Sequence, residues 1–492
     1  MLPLDAIVIG AGVVGPALAT ALARQGHKVL IIERDWSEPD RIVGELMQPA
    51  GVKALRELGL VQALNNIDAR HVDGYYIKYH GTSIVIDYAS KETCQKTAPV
   101  VPVPDCVFGG NDKLSTHDPV LLAKDWDAAE NVRGVSLTHG KFLLNLRRIV
   151  RSEPNVTWVE GTATALLRAP GRPQSVVGVR VKTADGSVHE YRAKMTFACD
   201  GIYLKFRKEH LPTNVPTTGL YFVGLALHHA ELPAPNHGHV ILGSHAPVLV
   251  YQVSAAETRM LCAYRSTRPP SLANDDFVQY LRTQVLPNLP RELHASFEAA
   301  VAARLFRAMP NQYLTAPEQG RGNEGFVMLG DALNMRHPLT GGGMTVGLND
   351  TALLARLLHG VDLGDQRLVD QKLRLFHRKR KNLDAVINVL SIALYSLFAA
   401  DTRGLQVLQR GCFEYFLLGG DCVDGPMGLL SGMMPFPMML FNHFFSVAFY
   451  AIYVNFVARG VTGFPVALYE AFDAFYSAVV VFTPYLWKEL VR

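Results

Sequence analysis

The first two dozen residues alternate short apolar runs with a glycine-rich turn and a helical pattern. Residues 5–9 form a run rich in β-branched side chains, and a second such run at 28–32 ends on Glu33. Between them, alanine and leucine recur at helical spacing from residue 17 to 22, and Gly26 ends that pattern. Short apolar runs bounded by turn signals are typical of buried strands. The pattern therefore predicts a strand, a tight turn, a helix and a second strand.

The turn before this helix has the spacing G-x-G-x-x-G. Gly10 allows the chain to turn sharply, Gly12 allows a pyrophosphate to approach the backbone, and Gly15 allows the helix to sit close to the strand. The helix N-terminus offers unpaired N–H groups to phosphates, and Glu33 lies where a carboxylate accepts hydrogen bonds from a ribose. These features predict a dinucleotide site that could hold FAD or NAD(P). The alternative is a glycine-rich turn that binds nothing.

The segment after Glu33 is rich in charge, glycine and proline up to Pro49, which is typical of a structured loop. Composition alone would make it a polar surface loop. Because it directly follows the ribose-binding acid, Arg41 could instead reach a phosphate. A helix at 52–58 follows, and a later helical pattern at 140–148 is expected to leave Arg147 or Arg148 free for solvent or a phosphate.

Strand-like alternation recurs in three further regions. Residues 70–90 and 217–265 are assigned to a second, substrate-side sheet, and residues 156–197 indicate a meander with a hairpin turn at Asp185-Gly186. Residues 91–129 contain several prolines and many polar side chains without periodicity. We expect a long, partly mobile insertion there.

Two apolar strands end on an aspartate beside a glycine. The first runs into Asp200-Gly201 and a basic stretch at 205–208, and the second ends at Gly330-Asp331. Three glycines at 341–343 then open a helix. A carboxylate at a strand end suits a ribose or ribitol hydroxyl, and glycines at a helix start suit backbone contact with a flat ring or a phosphate. A flexible turn is the alternative for the glycines, and we expect the neighbouring His337 to be structural.

Composition excludes some classes of function. The 492 residues carry a formal net charge of only +4, which gives no support for nucleic-acid binding. The six cysteines are scattered, with no CxxC pair and no zinc spacing with histidines, so free thiols and no metal site are expected. The first strand begins almost at once, so neither a signal peptide nor an N-terminal anchor is expected.

The C-terminal part accounts for the slightly positive mean hydropathy of +0.12. Residues 425–458 contain no Asp, Glu, Lys or Arg, but two prolines split them and leave an apolar helix at 440–456. A second apolar stretch, 474–487, is shorter than the roughly 17–25 residues that a spanning helix needs. We therefore predict two short helices that dip into one leaflet, with buried core helices as the alternative. The basic run at 374–381 is either a solvated helix face or attracted to anionic headgroups.

Three motifs in order, GAGVVG followed by Glu33, then CDG at 199–201, then GDA at 330–332, resemble the FAD-dependent hydroxylase superfamily. Longer stretches resemble the squalene monooxygenase (squalene epoxidase) family, and its fungal branch most closely: ERDWSEPDRIVGELMQP, FVMLGDALNMRHPLTGGGMTVGL and VLSIALYSLFAAD. The resemblance covers essentially the whole chain, and residues 91–129 are its least family-like part.

The resemblance implies FAD as the bound dinucleotide and an α/β fold. That fold has a Rossmann-like FAD-binding domain, a β-sheet substrate domain and a C-terminal helical, membrane-associated region. The implied cofactor contacts are Gly10, Gly12, Val13, Val14, Gly15, Glu33, Arg34, Arg41, Arg147, Asp200, Gly201, Asp331, Gly342, Gly343 and Met344. The residues implied to border the substrate are Tyr75, Tyr251 and Gln48.

We expect the chain to pass repeatedly between these domains. The FAD-binding domain is predicted from residues 1–70, 136–205 and 311–360. The substrate domain is predicted from residues 71–135, which include the variable insertion, and from 206–310. Residues 361–492 are expected to form the helical region with two short membrane helices.

The resemblance also implies an activity, the epoxidation of squalene to 2,3-oxidosqualene in sterol synthesis. Reduced flavin and dioxygen would carry out the oxygen transfer, so no side chain is expected to act as acid or base. Electrons would come from NADPH through a diflavin reductase in the same membrane, the endoplasmic reticulum, with the protein monotopic and its catalytic part cytoplasmic. The alternatives are a related aromatic or terpenoid hydroxylase that takes hydride directly from NADPH, and a non-catalytic membrane flavoprotein.

Overall fold

The computed structural model describes residues 4–42, 44–97, 129–203, 205–211, 213–243, 246–264, 275–320 and 322–490. Its strands are β1 Leu4–Ile9, β2 Val29–Glu33, β3 Leu46–Met47, β4 Arg70–Val72, β5 Gly74–Tyr79, β6 Thr82–Asp87, β7 Gly134–Ser136, β8 Val156–Glu160, β9 Thr162–Ala169, β10 Arg172–Lys182, β11 Val188–Ala198, β12 Thr217–His228, β13 His237–Leu242, β14 Val248–Gln252, β15 Glu257–Tyr264, β16 Arg307–Tyr313 and β17 Phe326–Met328.

The helices carry their own numbering along the chain. They are α1 Val14–Arg24, α2 Pro49–Glu57, α3 Lys91–Thr97, α4 His139–Ser152, α5 Lys205–His210, α6 Asp276–Tyr280, α7 His294–Ala303, α8 Gly342–Leu358, α9 Gln366–Ala399, α10 Arg403–Leu417, α11 Asp421–Leu430, α12 Pro437–Arg459 and α13 Phe464–Leu490.

The first sheet is built on the predicted strand–turn–helix–strand unit, which the structure confirms. β1 lies between β2 and β11, β8 lies outside β2, β17 lies beside β11, and all these pairs are parallel. The amino-terminal part of β11 pairs instead with β10 in an antiparallel arrangement, which continues to β9. Because parallel strands end at one edge, β1, β2, β11 and β17 bring their carboxyl ends together.

The second sheet has the order β16-β12-β15-β14-β13-β5-β6. The predicted strands at 70–90 and at 217–265 therefore do meet in one sheet, with β5 parallel to β13 and the other neighbours antiparallel. Side chains alternate across it, since Val223 packs under α6 and α7 whereas Phe222 packs on the opposite face towards α9. Each face thus has its own apolar core. A small third sheet, β3-β7-β4, takes Arg70–Val72, so this first part of the predicted region 70–90 does not join the second sheet.

The predicted insertion at 91–129 is only partly described. Lys91–Thr97 form α3 rather than an irregular segment, with Cys94 buried, and residues 98–128 lie outside the described residues. The five cysteines within the described ranges are unpaired.

The C-terminal prediction of two short helices is wrong in length. α12 has 23 residues and α13 has 27. Pro437 occupies the first turn of α12, where a missing N–H breaks no hydrogen bond, and Pro484 lies within the last two turns of α13. Pro437 therefore begins α12 and Pro484 lies within α13, and neither proline divides its helix.

Within the described residues, three helices are long and apolar enough to cross a membrane: α9, α12 and α13. In α9, 61% of the most apolar stretch is buried inside the protein, against 22% in α12 and 28% in α13. α9 is therefore a core helix, whereas α12 and α13 pack on each other and turn an aromatic face outwards. On α13 the buried seam consists of small residues at helical spacing: Ala467, Ala471, Ala474 and Ala478.

The basic run at 374–381 does not form one surface. Arg378 and Lys379 are exposed, but Arg380 is buried and donates to both carboxylate oxygens of Asp350, at 3.0 and 2.6 Å. It also pairs with Asp384 one turn further along α9. For Arg380, both sequence-based alternatives are therefore wrong, because two buried carboxylates hold it in the core.

Candidate functional site

One cavity of about 760 Å³ lies where the strand ends of the first sheet face the second sheet. Most of the residues proposed from the sequence line it: Gly10, Gly12, Val13, Val14, Glu33, Arg34, Arg41, Tyr75, Arg147, Asp200, Gly201, Tyr251, Asp331, Gly343 and Met344. Three of the proposed residues, Gly15, Gln48 and Gly342, lie behind its wall. The topology thus gathers residues up to 334 positions apart in sequence around one space.

The three glycines of the first turn differ in their surroundings. Gly10 has φ +99°, and a Cβ there would lie 2.5 Å from the carbonyl oxygen of Cys199. A Cβ on Gly15 would lie 1.9 Å from the carbonyl oxygen of Gly10, so this glycine allows close contact between α1 and β1. Gly12 has nothing within 4 Å of such a Cβ. Gly12 therefore leaves the cavity side of the turn open, and this fits the approach of a pyrophosphate.

Glu33 closes the far side of this turn. Its Oε2 accepts a hydrogen bond from the Ala11 amide at 2.6 Å, and its Oε1 accepts one from the Arg34 amide at 3.0 Å. The carboxylate is thus held at the end of β2 while still lining the cavity. This placement fits a ribose acceptor.

Of the two arginines expected to leave one free for solvent or a phosphate, Arg148 is exposed and Arg147 is buried. It is buried on α4, and its Nε donates to the Ala11 carbonyl at 2.9 Å, while a second nitrogen donates to the Ser37 carbonyl. Its Nη2 lies 4.0 Å from Oε2 of Glu33. Arg147 therefore braces both the glycine turn and the loop after β2, whereas Arg148 is exposed.

The two aspartates at strand ends line the cavity from neighbouring strands, because β11 and β17 pair with each other. Asp331 is exposed to the cavity, and the surrounding protein raises the pKa of its carboxyl, which Arg336 and Arg41 oppose. Burial likewise raises the pKa of Asp200. In the basic stretch after Asp200, Lys205 and Lys208 are exposed, but Arg207 is 2% exposed and donates to the Leu333 carbonyl at 2.6 Å.

The three glycines before α8 also have separate roles. Gly341 has φ +61° and packs against Leu46, and a Cβ on Gly342 would lie 2.3 Å from Cγ2 of Ile387. Gly343 has nothing within 4 Å of such a Cβ and lines the cavity. The Gly341–Gly343 turn is therefore packed rather than flexible, and Gly341 and Gly343 line the cavity.

Sequence reasoning missed several residues of the cavity wall. His139 lines it, and its Nδ1 lies 2.8 Å from the Gly44 carbonyl; burial lowers the pKa of the ring to about 4. Glu45 lines it too, and both of its carboxylate oxygens accept from Arg259, at 2.7 and 2.9 Å, in a buried pair. A charged residue just before a buried strand, as Glu45 is before β3, was the available signal. Arg259 carried no such signal in the sequence, because its partner Glu45 is 214 residues away.

The other end of the cavity is apolar. Tyr75 and Tyr251 line it together with leucine and methionine side chains from the second sheet, and burial raises the pKa of both phenols. Gln48 lies behind Tyr75 and donates to its hydroxyl at 2.7 Å and to the Thr340 carbonyl at 2.5 Å. Tyr88 donates to the Gln48 side-chain oxygen. This end is therefore walled mainly by apolar side chains and protonated phenols, with the net-neutral Glu45–Arg259 pair beside Tyr251.

The apolar end continues into the core of the C-terminal helices. Tyr75, Leu249 and Tyr251 belong to the same buried cluster as Phe413 of α10 and Phe482 of α13. His337 lies nearby, stacked on Tyr395 at 4.1 Å between ring centroids, and burial lowers its pKa to about 3. It does not line the cavity, which agrees with a structural role. In the described part of the chain, no group of three His, Cys, Asp or Glu residues could hold a metal.

The walls fit a flavin dinucleotide, with open glycines for phosphate and ring at one end and an apolar space at the other. A family model described as an FAD binding domain matches residues 3–105, and one described as squalene epoxidase matches residues 192–469. Among solved structures, the flavin-dependent brominase Bmp2 is 14% identical with a TM-score of 0.64, covering 90% of this chain and 98% of that one. PqsL, a probable FAD-dependent monooxygenase from Pseudomonas aeruginosa, is 20% identical with a TM-score of 0.60, covering 80% and 96%. At such identities these structures establish the fold alone.

Curated relatives are more similar. Squalene epoxidase ERG1 of Candida albicans is 62% identical over 99% of both chains. Squalene epoxidase ERG1 of Saccharomyces cerevisiae is 51% identical over 99% of this chain and 96% of the relative. Squalene monooxygenase of Mus musculus is 39% identical over 99% of this chain and 78% of the relative. Because these identities extend over nearly the whole sequence, this chain belongs to the squalene epoxidase family and is similar to its fungal members.

Proposed function

We propose that this protein converts squalene to (S)-2,3-oxidosqualene, with FAD as cofactor and dioxygen as the oxygen source, in ergosterol biosynthesis. The observation that carries the proposal is the single cavity that joins a glycine-lined nucleotide end to an apolar end bordered by Tyr75 and Tyr251. An alkene without polar groups needs such a space beside a flavin ring. It needs neither a charged anchor nor an acid or base.

We assign the nucleotide end to the dinucleotide. Gly12 and the N-terminus of α1 would bind the pyrophosphate, and Glu33 would accept from the adenosine ribose. Asp331 would contact the ribitol or pyrophosphate, and Gly343 would lie against the isoalloxazine ring. When bound, the reduced flavin supplies the chemistry that activates dioxygen and transfers one oxygen atom.

The protein's own task at the apolar end is to orient squalene and exclude water. The hydroxyl of Tyr75 is held by Gln48, so its ring keeps one position on the cavity wall. Tyr75 and Tyr251 remain protonated because burial raises their pKa, so no phenolate enters the site. A dry wall of apolar side chains and protonated phenols favours squalene over water and protects the activated oxygen from loss.

We propose that squalene enters from the bilayer. α12 and α13 expose large apolar side chains, including Phe449, Tyr453, Phe472 and Tyr476 at 59 to 70%. A contiguous exposed face of large apolar side chains marks a lipid or protein contact. We place the protein in the endoplasmic reticulum membrane as a monotopic protein whose catalytic part faces the cytoplasm.

We propose that electrons come from a separate NADPH-dependent diflavin reductase in the same membrane. The spacing G-x-G-x-x-G recurs at Gly320, Gly322 and Gly325. However, this stretch precedes β17 and is not followed at once by a helix, so it lacks the strand–turn–helix context of a nucleotide site. A second nucleotide site is therefore not supported there.

The test uses the full chain purified in detergent. Its absorption spectrum is recorded first, and squalene is then added with FAD, NADPH and a diflavin reductase, followed by identification of the product by mass spectrometry. We expect a flavin spectrum and oxidosqualene formed only with the reductase. Rapid oxidation of NADPH without a reductase would indicate the hydroxylase alternative. Bound FAD with no turnover would indicate a non-catalytic flavoprotein.

A further inference from the structure

Glu489 occupies an unusual position for a residue in the last turn of α13. Its side chain is fully buried, although the opposite face of α13 is the exposed aromatic one. Its Oε1 accepts from the Tyr313 hydroxyl at 2.6 Å and from Nδ2 of Asn388 at 3.0 Å. Lys381 donates to its backbone carbonyl at 2.5 Å. One acid therefore joins the end of the C-terminal helix to β16 and to α9.

Asn388 continues this connection towards the cavity. Its Oδ1 accepts from Nε of Arg336 at 2.8 Å. Arg336 is itself buried and lines the cavity, and its Nη1 donates to the carbonyl oxygens of Gly342 and Gly343, at 3.4 and 3.2 Å. An unbroken series of hydrogen bonds thus runs from Glu489 to the Gly341–Gly343 turn.

The second carboxylate oxygen of Glu489, Oε2, has no hydrogen-bond partner among the described residues. This unpaired oxygen indicates a role beyond anchoring the helix. The neighbouring carboxylate of Asp384 is already engaged by Arg380. A buried carboxyl with an unpaired oxygen is less favourable than a well-packed apolar side chain of similar volume. The unpaired oxygen is thus a cost to stability, whereas the paired oxygen provides an acceptor of fixed direction for Tyr313 and Asn388.

We propose that Glu489 is a positioning residue for the cofactor. By holding Asn388 and through it Arg336, it fixes the Gly341–Gly343 turn against the flavin ring. Correct seating of the C-terminal end of α13, a helix that contacts lipid, is thereby coupled to the geometry of the flavin site. This inference rests on the proposed function for the assignment of FAD to the cavity.

The experiment compares Glu489→Leu, which removes the acceptor at similar volume, with Glu489→Gln, which retains an oxygen for Asn388. Glu470→Leu is the matched control, because Glu470 is also a buried acid of α13, and it bonds to Arg459 and Asn455 of α12. The full-length variants are stripped of flavin and titrated with FAD by fluorescence quenching. The visible circular dichroism of the bound flavin is then recorded.

We expect Glu489→Leu to raise the Kd for FAD about tenfold and to alter the flavin dichroism, since Asn388 loses the hydrogen bond that holds it in place. Glu489→Gln should restore both, and Glu470→Leu should change neither. Asn388→Ser, which breaks the middle of the same series, is measured in parallel and should resemble Glu489→Leu, so the outcome does not depend on one variant folding.

A Kd within about twofold of the unmodified chain in Glu489→Leu or Asn388→Ser would overturn the proposal and leave Glu489 as a helix anchor. Failure of the proposed function is a different result, because the unmodified chain itself would then bind no FAD or convert no squalene.

Discussion

Gln48 donates a hydrogen bond from Nε2 to the hydroxyl of Tyr75 at 2.7 Å, from a position that does not line the cavity itself. The same amide accepts from Tyr88, so one buried side chain determines the orientation of two phenols. Gln48 was expected from the family resemblance to border the substrate. We now propose that it acts on the substrate through Tyr75.

Replacing Gln48 by leucine is expected to affect squalene more than FAD. The change removes the hydrogen bond from Gln48 to the buried hydroxyl of Tyr75, which costs about 1–3 kcal/mol and loosens the hold on the ring. The KM for squalene should rise severalfold, whereas the Kd for FAD should stay nearly constant. Gln319→Leu is the control, since Gln319 is also buried but bonds to the backbone of Met328. Equal effects of both variants on KM would contradict this role.

Glu33→Ala should weaken FAD binding, because the ribose loses its charged acceptor and the Ala11 amide loses its partner. We expect a loss of about 1–3 kcal/mol, which corresponds to a Kd roughly 5- to 150-fold higher. Flavin retained after dialysis provides the measurement. Glu190→Ala, which removes a surface acid paired with Arg180, is the control. Unchanged flavin content in Glu33→Ala would argue against the assignment.

Gly12→Ala and Gly15→Ala should separate binding from folding. The new methyl group at residue 12 would enter open space where we place the pyrophosphate, so FAD affinity should fall while the thermal stability of the apoprotein stays the same. At residue 15 it would lie 1.9 Å from a backbone oxygen, so stability should fall by about 1–3 kcal/mol or more. Calorimetry of the apoprotein distinguishes the two. Equal stability losses would contradict the open approach at Gly12.

His337 should make stability depend on pH in a defined direction. Burial lowers its pKa from 6.5 to about 3, so it stays neutral when folded but takes up a proton when unfolded below pH 6.5. The stability that the neutral, buried His337 contributes is fully present above pH 6.5 and is lost as the pH falls. The free energy of unfolding therefore decreases by about 3 kcal/mol between pH 6.5 and 4. His337→Asn retains an acceptor for the Leu339 amide but does not titrate. Its unfolding free energy should therefore decline less steeply over that window, and parallel curves would refute the prediction.

The exposed aromatic face of α12 and α13 should control membrane binding. Phe449→Glu and Phe472→Glu place charge on side chains that are 59% and 70% exposed, so flotation with phosphatidylcholine vesicles should fall severalfold while flavin content is kept. Val188→Glu is the control, because Val188 is 57% exposed but lies on β11, in the FAD-binding sheet. Loss of flotation in the control alone, or in none of the variants, would contradict this surface assignment.

The sequence by itself determined the local units of this protein. Strand, glycine turn, helix and acid could be recognised from residues 5 to 33 because each depends on neighbours in the chain, and the strands at 70–90 and 217–265 could be recognised from side-chain alternation. The Asp-Gly and Gly-Asp endings marked the strand ends that meet at one edge. Family resemblance then supplied FAD and a set of site residues, most of which line the cavity.

Only the tertiary structure decided which side chains face the cavity and which lie behind it. Gly12 and Gly15 have the same chemistry, yet one opens to the cavity and the other meets a backbone carbonyl. The sequence did not show that Arg147, Arg207 and Arg380 are buried. Each of them donates a hydrogen bond to a partner more than twenty residues away along the chain. The two prolines near residue 436 suggested a helix break, whereas packing of α12 against α13 sustains both helices. The physical reason is common to all of these cases, because burial and partnership depend on contacts between distant segments, and a linear pattern does not specify them.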